Sequence, residues 1–221
     1  MKLNTVIFDM DGLLIDSEPL WKEAADTLFA GFGLHLTDQQ YGMTTGLRTK
    51  EFLAHWFRYF KMESAGMAEA EKIIVTQVIE LVKQKGSPMQ GVPHIFNFFS
   101  ERRFNIGLAT SSAPALIDVV IDQLGIRNRI QAISSADHLP YGKPHPEVYL
   151  DCASKLGADP DQCICFEDSF NGMIAAKAAK MKCVIVPSQQ EHKNRVWEAA
   201  DLKISTLHNF NELLLDRLQK H

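Results

Sequence analysis

The sequence has no apolar run approaching membrane-span length, no Cys-x-x-Cys pair, no internal repeat and no low-complexity tract. It has no basic excess either. Its 23 Lys and Arg against 27 Asp and Glu give a net charge of -4, and the cations are spread along the chain rather than blocked. That excludes the electrostatic footprint of a nucleic-acid-binding protein. The four cysteines, Cys152, Cys163, Cys165 and Cys183, lack metal-site spacing. Cys163 and Cys165 alternate on a predicted strand and share a face, so they read as buried, reduced core residues. Asp9 and Asp11 interrupt the one apolar stretch near the N-terminus, so no signal peptide is read there. These absences predict a soluble, cytoplasmic chain with neither nucleic-acid nor membrane partner.

What is present is core-forming material. Of 221 residues, 46% are apolar, enough for one sizeable core with a lobe attached. The stretch Thr5-Val6-Ile7-Phe8-Asp9-Met10-Asp11-Gly12 organises the rest. Its apolar, β-branched start reads as a buried strand, too short for a helix and stopped by turn chemistry. The strand end throws Asp9 and Asp11 out at one edge of a sheet, the edge where α/β proteins bind ligands. A turn explains Gly12 and one aspartate, but not the pair. Two carboxylates so close need a positive partner, and a hard cation with oxygen ligands supplies one.

From about Glu18 to Ser87 the apolar residues recur only at helical spacing. Asp16 or Ser17 can cap a first helix with Pro19 in its first turn. Thr37 and Gln40 form a capping-box pattern. Further helices span about Thr49 to Phe60 and Met67 to Lys85, and Gly86, Pro88 and Gly91 then break the pattern. After them strands and helices alternate, with strands at Asn105–Ala109, Ala132–Ser134, Cys163–Phe166 and Lys182–Val186. That alternation predicts a parallel sheet covered on both faces. The expected division is an α/β, Rossmann-like core of residues 1–16 and 88–221, with an all-helical cap of residues 17–87 inserted in it. The two crossings between them are candidate hinges.

Three further sites follow predicted strands. Thr110, Ser111 and Ser112 offer a hydroxyl and freed backbone N–H groups suited to a phosphate; alone, they read better as a helix cap before Pro114. Lys143 precedes Pro144, which restricts it to extended geometry and aims one ammonium at a fixed point. Glu167 and Asp168 end a buried strand, with Ser169 and Asn171 placed to cap the next helix. Read singly, Glu167 is an ordinary helix N-terminal charge. Four strand ends that together supply carboxylates, hydroxyls and one lysine are not explained that way.

Phe8-Asp9-Met10-Asp11-Gly12-Leu13-Leu14-x-Asp16-Ser17 resembles the first motif of the haloacid dehalogenase-like (HAD) phosphohydrolases, in the branch with a helical cap after that motif. Thr110, Lys143 and Glu167-Asp168 stand where its other three motifs stand. The resemblance covers about Met1 to Leu14 and Gly91 to Pro187; the cap matches only in length, position and helical character. It implies a Mg²⁺-dependent phosphomonoesterase acting on small phosphometabolites, sugar phosphates foremost, through an aspartyl-phosphate. Asp9 would be the nucleophile and Asp11 the general acid and base. Thr110, Ser111 and Lys143 would bind phosphate, and Asp9, the Asp11 backbone carbonyl, Asp168 and Glu167 would serve the metal. The partner implied is a phosphorylated small molecule, and the chain a monomer or small homo-oligomer.

The rival reading is a β-phosphoglucomutase. Those enzymes carry a cap histidine where Trp21 stands, and Lys-Gly-x-Ser-Arg where this chain has Thr45-Gly46-Leu47-Arg48-Thr49. Phosphatase is therefore preferred, with Gly46, Arg48 and Trp21 as specificity candidates. A catalytically silent binding module would have lost part of the charged set, and none is missing.

Overall fold

The buried run Thr5–Phe8 forms β1 at the centre of a six-stranded, wholly parallel sheet. Its neighbours are β2 (Asn105–Thr110) and β4 (Cys163–Glu167). Outside them lie β3 (Ala132–Ser135) on one side, and β5 (Lys182–Ile185) and β6 (Leu202–Lys203) on the other, in the order β3-β2-β1-β4-β5-β6. The computed structural model describes residues 2–220. Among these, no helix is long and apolar enough to cross a membrane.

Strand periodicity sorts the core into two layers. Val6, Phe8, Ile106, Leu108, Ile164 and Phe166 face one side of the sheet, where they meet α5 (Val92–Glu101), α6 (Pro114–Gln123) and α9 (Glu212–Lys220). Ile7, Ala109, Cys163, Cys165 and Cys183 face the other, against α7 (Glu147–Lys155) and α8 (Phe170–Ala178). All four cysteines are buried and unpaired. The first layer is aromatic. Phe8 stacks on Phe96 at 5.1 Å between centroids, and Phe99 lies 5.5 Å from Phe210 and 5.7 Å from Phe166.

Between β1 and α5 the chain forms four helices, α1 (Glu18–Ala30), α2 (Asp38–Gly42), α3 (Thr49–Tyr59) and α4 (Met67–Lys85). The capping box at Thr37 and Gln40 opens α2. α4 packs on α1 and α3, and also on α6 of the sheet layer. The two chain crossings into this block hold each other: Asp16 N–H donates to the Ser87 carbonyl at 2.9 Å and Met89 N–H to the Leu14 carbonyl at 3.0 Å. The entry and exit segments therefore pair as one short antiparallel ribbon.

Two details depart from the sequence reading. β6 has two residues, too few for any periodicity, and is held by Asp201, which accepts from Cys183 N–H at 2.8 Å. Ser17 stands at the N-cap of α1 but makes no capping bond; its hydroxyl is engaged elsewhere.

Phe99 is fully buried among Phe8, Phe104, Phe166 and Phe210. Phe99→Ala should cost about 3–5 kcal/mol of unfolding free energy, through lost transfer energy and the cavity left behind. Urea denaturation checks this; a midpoint near wild type would show that the aromatic layer does not hold the sheet.

Candidate active site

Parallel strands put their carboxyl ends on one edge, and four of them deliver the candidate residues there. β1 delivers Asp9 and the turn that carries Asp11. β2 ends at Thr110 and β4 at Glu167. Lys143 comes from the loop after β3. The turn at Gly12 (φ +72°) is where backbone and carboxylate meet: a Cβ there would strike the Asp168 carboxylate. Glycine therefore lets the β1 turn lie against Asp168.

At the centre is the Lys143 ammonium, 2% exposed as a residue. It donates to Asp9 Oδ1 at 2.5 Å and Glu167 Oε1 at 2.6 Å. Burial alone would lower its pKa, but the carboxylates of Asp9 and Glu167 outweigh that and hold it raised. Glu167 is fully enclosed. Oε1 also accepts from Tyr149 Oη at 2.6 Å, and Oε2 accepts from the N–H groups of Asp168 and Ser169 and from Ser169 Oγ, each at 3.1 Å.

Asp9, Glu167 and Asp168 each place a carboxylate oxygen within 4.8 Å of the others. Burial pushes the Asp9 carboxyl well up, helped by Glu167 and Asp11 and opposed by Lys143. Burial likewise raises Asp168, with Glu167, Asp9 and Glu18 adding to it. One ammonium does not neutralise this group.

Asp11 is held separately. Its Oδ1 accepts from Ser17 Oγ at 2.7 Å and Trp21 Nε1 at 2.9 Å. Its Oδ2 accepts from Ser112 Oγ at 2.7 Å, with Thr110 Oγ1 at 3.5 Å. From sequence alone Ser17 and Ser112 read only as cap or backbone positions; nothing local marks a serine that will reach a carboxylate in the folded chain. Tyr149 was missed for the same reason, its one signal being a phenol on an otherwise apolar helix face.

Over this edge lies an open cleft of about 630 Å³, its mouth included. Asp9, Asp11, Thr110, Ser111, Lys143 and Asp168 line its floor and Trp21 and Gly46 its upper wall, while Glu18 lies beside Gly12 and Asp168. Desolvation raises the Glu18 carboxyl to about 8, with Asp11 and Asp16 adding to the shift. Trp21 thus reaches the cavity, but its indole N–H is spent on Asp11.

The segment around Gly46 closes the cavity against the sheet edge. Ser111 Oγ donates to the Gly46 carbonyl at 2.8 Å, and Asn171 Nδ2 to the Thr45 carbonyl at 2.9 Å. A Cβ at Gly46 (φ +81°) would strike Ser169. Arg48 departs from expectation. It does not line the cavity: its guanidinium donates across to the carbonyls of Ala136 at 3.1 Å and Leu139 at 2.7 Å, and pairs with Glu51. The reason is reach, since a long side chain on a loop beside α3 finds the free carbonyls after β3 before it finds the cavity. Arg48 is a clamp between the helical block and the sheet, not a substrate-facing group.

The sequence model of a family described as haloacid dehalogenase-like hydrolase matches residues 6–186. Hexitol phosphatase B of Escherichia coli (strain K12) is 38% identical over 202 residues, covering 91% of each chain. Fructose-1-phosphate phosphatase YqaB of the same strain is 29% identical over 184 residues, covering 82% of this chain and 95% of that one. Among solved structures, a β-phosphoglucomutase from Clostridium difficile superposes with a TM-score of 0.88 at 21% identity, covering 99% of this chain and 97% of its own. At that identity it shows the fold alone.

Arg48→Ala should loosen the closure without unfolding the sheet. Amide hydrogen exchange should rise on the order of tenfold across residues 44–52 and 134–142, the worth of one charge-assisted hydrogen bond, while β2 and β4 stay protected. Unchanged exchange in both segments would reject the clamp.

Proposed function

Because the chain belongs to the haloacid dehalogenase-like hydrolase family, we propose that it is a phosphomonoesterase acting on sugar or sugar-alcohol phosphates through an aspartyl-phosphate on Asp9. The observation that carries this reading is the pairing of Asp9 with Lys143 inside a buried carboxylate cluster, beside a separately held Asp11. Residues 1–16 and 88–221 act as the core and residues 17–87 as the cap.

The cluster suits a divalent cation. Its carboxyls are crowded and raised by burial, and the Asp11 carbonyl accepts no hydrogen bond among the described residues. Asp9, Asp168 and the Asp11 carbonyl would hold Mg²⁺, which when bound offsets the negative charge and polarises a phosphoryl oxygen. Glu167 lies in the same cluster, but five donors already fill its oxygens, so its part is to anchor Lys143.

The chain's own residues then divide the work. An Asp9 oxygen attacks phosphorus as the bond to the leaving oxygen breaks. Asp11 gives that oxygen its proton. Lys143, Thr110 and the backbone N–H groups near Ser111 hold the phosphoryl oxygens. In the second half Asp11 takes a proton from water, the water oxygen bonds to phosphorus, and Asp9 is released. Closure of the Gly46 segment keeps bulk water out. The phosphatase reading is preferred over a mutase because the curated relatives at 38% and 29% identity are phosphatases by name, whereas the mutase likeness is one of fold.

Asp9→Asn should lower phosphate release by several orders of magnitude with the fold intact, as loss of a covalent nucleophile does. Near-normal release by that variant, checked by circular dichroism and a malachite-green assay, would reject the mechanism. EDTA should abolish activity and Mg²⁺ restore it; activity indifferent to EDTA would remove the metal.

Asp11→Asn should cost about 10²–10⁴-fold on a sugar phosphate, the usual size of a general acid–base effect. Formation of the phosphoenzyme from p-nitrophenyl phosphate should suffer much less, because that leaving group needs no proton. Equal loss of the first step for both esters, by rapid quench, would exclude Asp11 as the acid.

A further inference from the structure

The helical block presents hydroxyls to the cleft. Tyr41, Thr44, Thr45 and Thr49 all line it. Thr44 is engaged within the chain: its hydroxyl donates to the Tyr41 carbonyl at 3.0 Å and accepts from Trp56 Nε1 at 3.1 Å. Thr45 is engaged only through its backbone carbonyl, which accepts from Asn171. Among the described residues, the hydroxyls of Tyr41, Thr45 and Thr49 have no partner, and Arg48 Nε is the one fully enclosed side-chain polar atom without one. The three free hydroxyls are therefore not sealed in protein, and the space they open onto is the cleft.

Tyr41 is the most firmly placed of the three. It lies in α2, whose start is fixed by the Thr37–Gln40 capping box. Its N–H donates to the Thr37 carbonyl at 2.9 Å, and its own carbonyl accepts from Thr44 N–H at 3.0 Å. Its ring meets the buried Phe52 edge-on, with 6.1 Å between centroids. A tyrosine packed in this way ordinarily gives its hydroxyl a partner; here the chain supplies none. Burial, with Glu18, Asp11 and Asp26 adding to it, holds the phenol well above its usual range, so it keeps its proton and can donate.

The basic residues nearby on the helical block are turned elsewhere. Lys22 pairs with Asp26 at 2.7 Å and Asp38 at 3.4 Å. Arg48 is spent on Glu51 and two carbonyls of the sheet layer, and Lys50 donates to the Asp137 carbonyl at 3.1 Å. What Tyr41, Thr45 and Thr49 offer a leaving group is neutral hydrogen bonding.

We propose that Tyr41 is a specificity-determining residue whose phenol hydrogen-bonds a hydroxyl of the leaving group, with Thr45 and Thr49 serving further hydroxyls of the same molecule. The inference rests on the phosphatase reading and deepens it: the substrate class is the phosphomonoester of a polyhydroxylated carbon chain. The sheet edge holds the phosphoryl group and the helical block holds the rest. A leaving group without hydroxyls would cover these side chains and leave them unpaired, which a site built for hydroxyls penalises.

A matched pair of esters tests it. Glucitol 6-phosphate and n-hexyl phosphate share a six-carbon chain and differ in its hydroxyls. With Mg²⁺ present, the wild-type protein should favour glucitol 6-phosphate in kcat/KM by at least about tenfold. Tyr41→Phe keeps the ring on Phe52 and removes only the hydroxyl. It should lower kcat/KM for glucitol 6-phosphate on the order of five- to tenfold, the worth of one hydrogen bond, and leave n-hexyl phosphate and p-nitrophenyl phosphate within about twofold. The loss should lie mainly in KM, because the contact is made in ground and transition states alike. Thr49→Val, which also removes only a hydroxyl, should move the same ratio in the same direction.

Equal kcat/KM for the two six-carbon esters with the wild-type protein would overturn hydroxyl recognition, and so would turnover of p-nitrophenyl phosphate with neither of them. A folded Tyr41→Phe variant that lowers all esters by one factor, or none, would overturn the assignment to Tyr41. Failure to release phosphate from any ester, p-nitrophenyl phosphate included, would instead sink the phosphatase reading itself.

Discussion

The site is built around one buried ammonium between two buried carboxylates. Taking Lys143, Asp9 and Glu167 out of water costs several kcal/mol per ion, which their mutual attraction and the further hydrogen bonds to Glu167 offset. Tyr149, Ser169 and two backbone N–H groups fill Glu167. Asp9 keeps one oxygen outside the pair, which is the oxygen a nucleophile needs. An apolar replacement for the trio would pack as well and be as stable; what it would lose is a fixed cation beside a fixed carboxylate. On the proposed mechanism this pairing sets where a phosphoryl group lies, beside both Lys143 and Asp9.

Sheet topology makes this possible at small cost in chain. With β1 central and β2 and β4 on either side, three strand ends meet within side-chain reach. The helical block then closes over them through main-chain acceptors. Gly46, Thr45, Ala136 and Leu139 offer carbonyls, and Ser111, Asn171 and Arg48 donate to them. Such contacts are individually modest, as a reversible closure requires. Asp11 stands where both parts meet, held by Ser17 and Trp21 from one and by Ser112 from the other. On the proposed mechanism, proton transfer and closure are thereby tied to the same residue.

What the sequence made legible followed from periodicity and strand ends. Asp9, Thr110, Glu167 and Asp168 each come directly after or within a buried strand, so their meeting at one edge follows from a parallel sheet. Lys143 could be placed because a proline behind it narrows its backbone. What stayed hidden depends on side-chain reach across the fold. Arg48 stands in a glycine-containing loop that reads as substrate-facing, yet its length carries it to the carbonyls after β3. Ser17 occupies a helix N-cap but gives its hydroxyl to Asp11, a choice no local pattern records. β6 is too short to show a period, and α2 announces itself only by its capping box.

The account stands or falls on a covalent bond between phosphorus and Asp9. Acid quench within the first turnover of p-nitrophenyl phosphate, followed by peptide mass spectrometry, measures it directly. The account predicts a phosphoryl adduct on the peptide carrying Asp9, stable in acid and converted to a hydroxamate by hydroxylamine. Full turnover with no adduct on that peptide at any quench time, or an adduct on another residue, would contradict it.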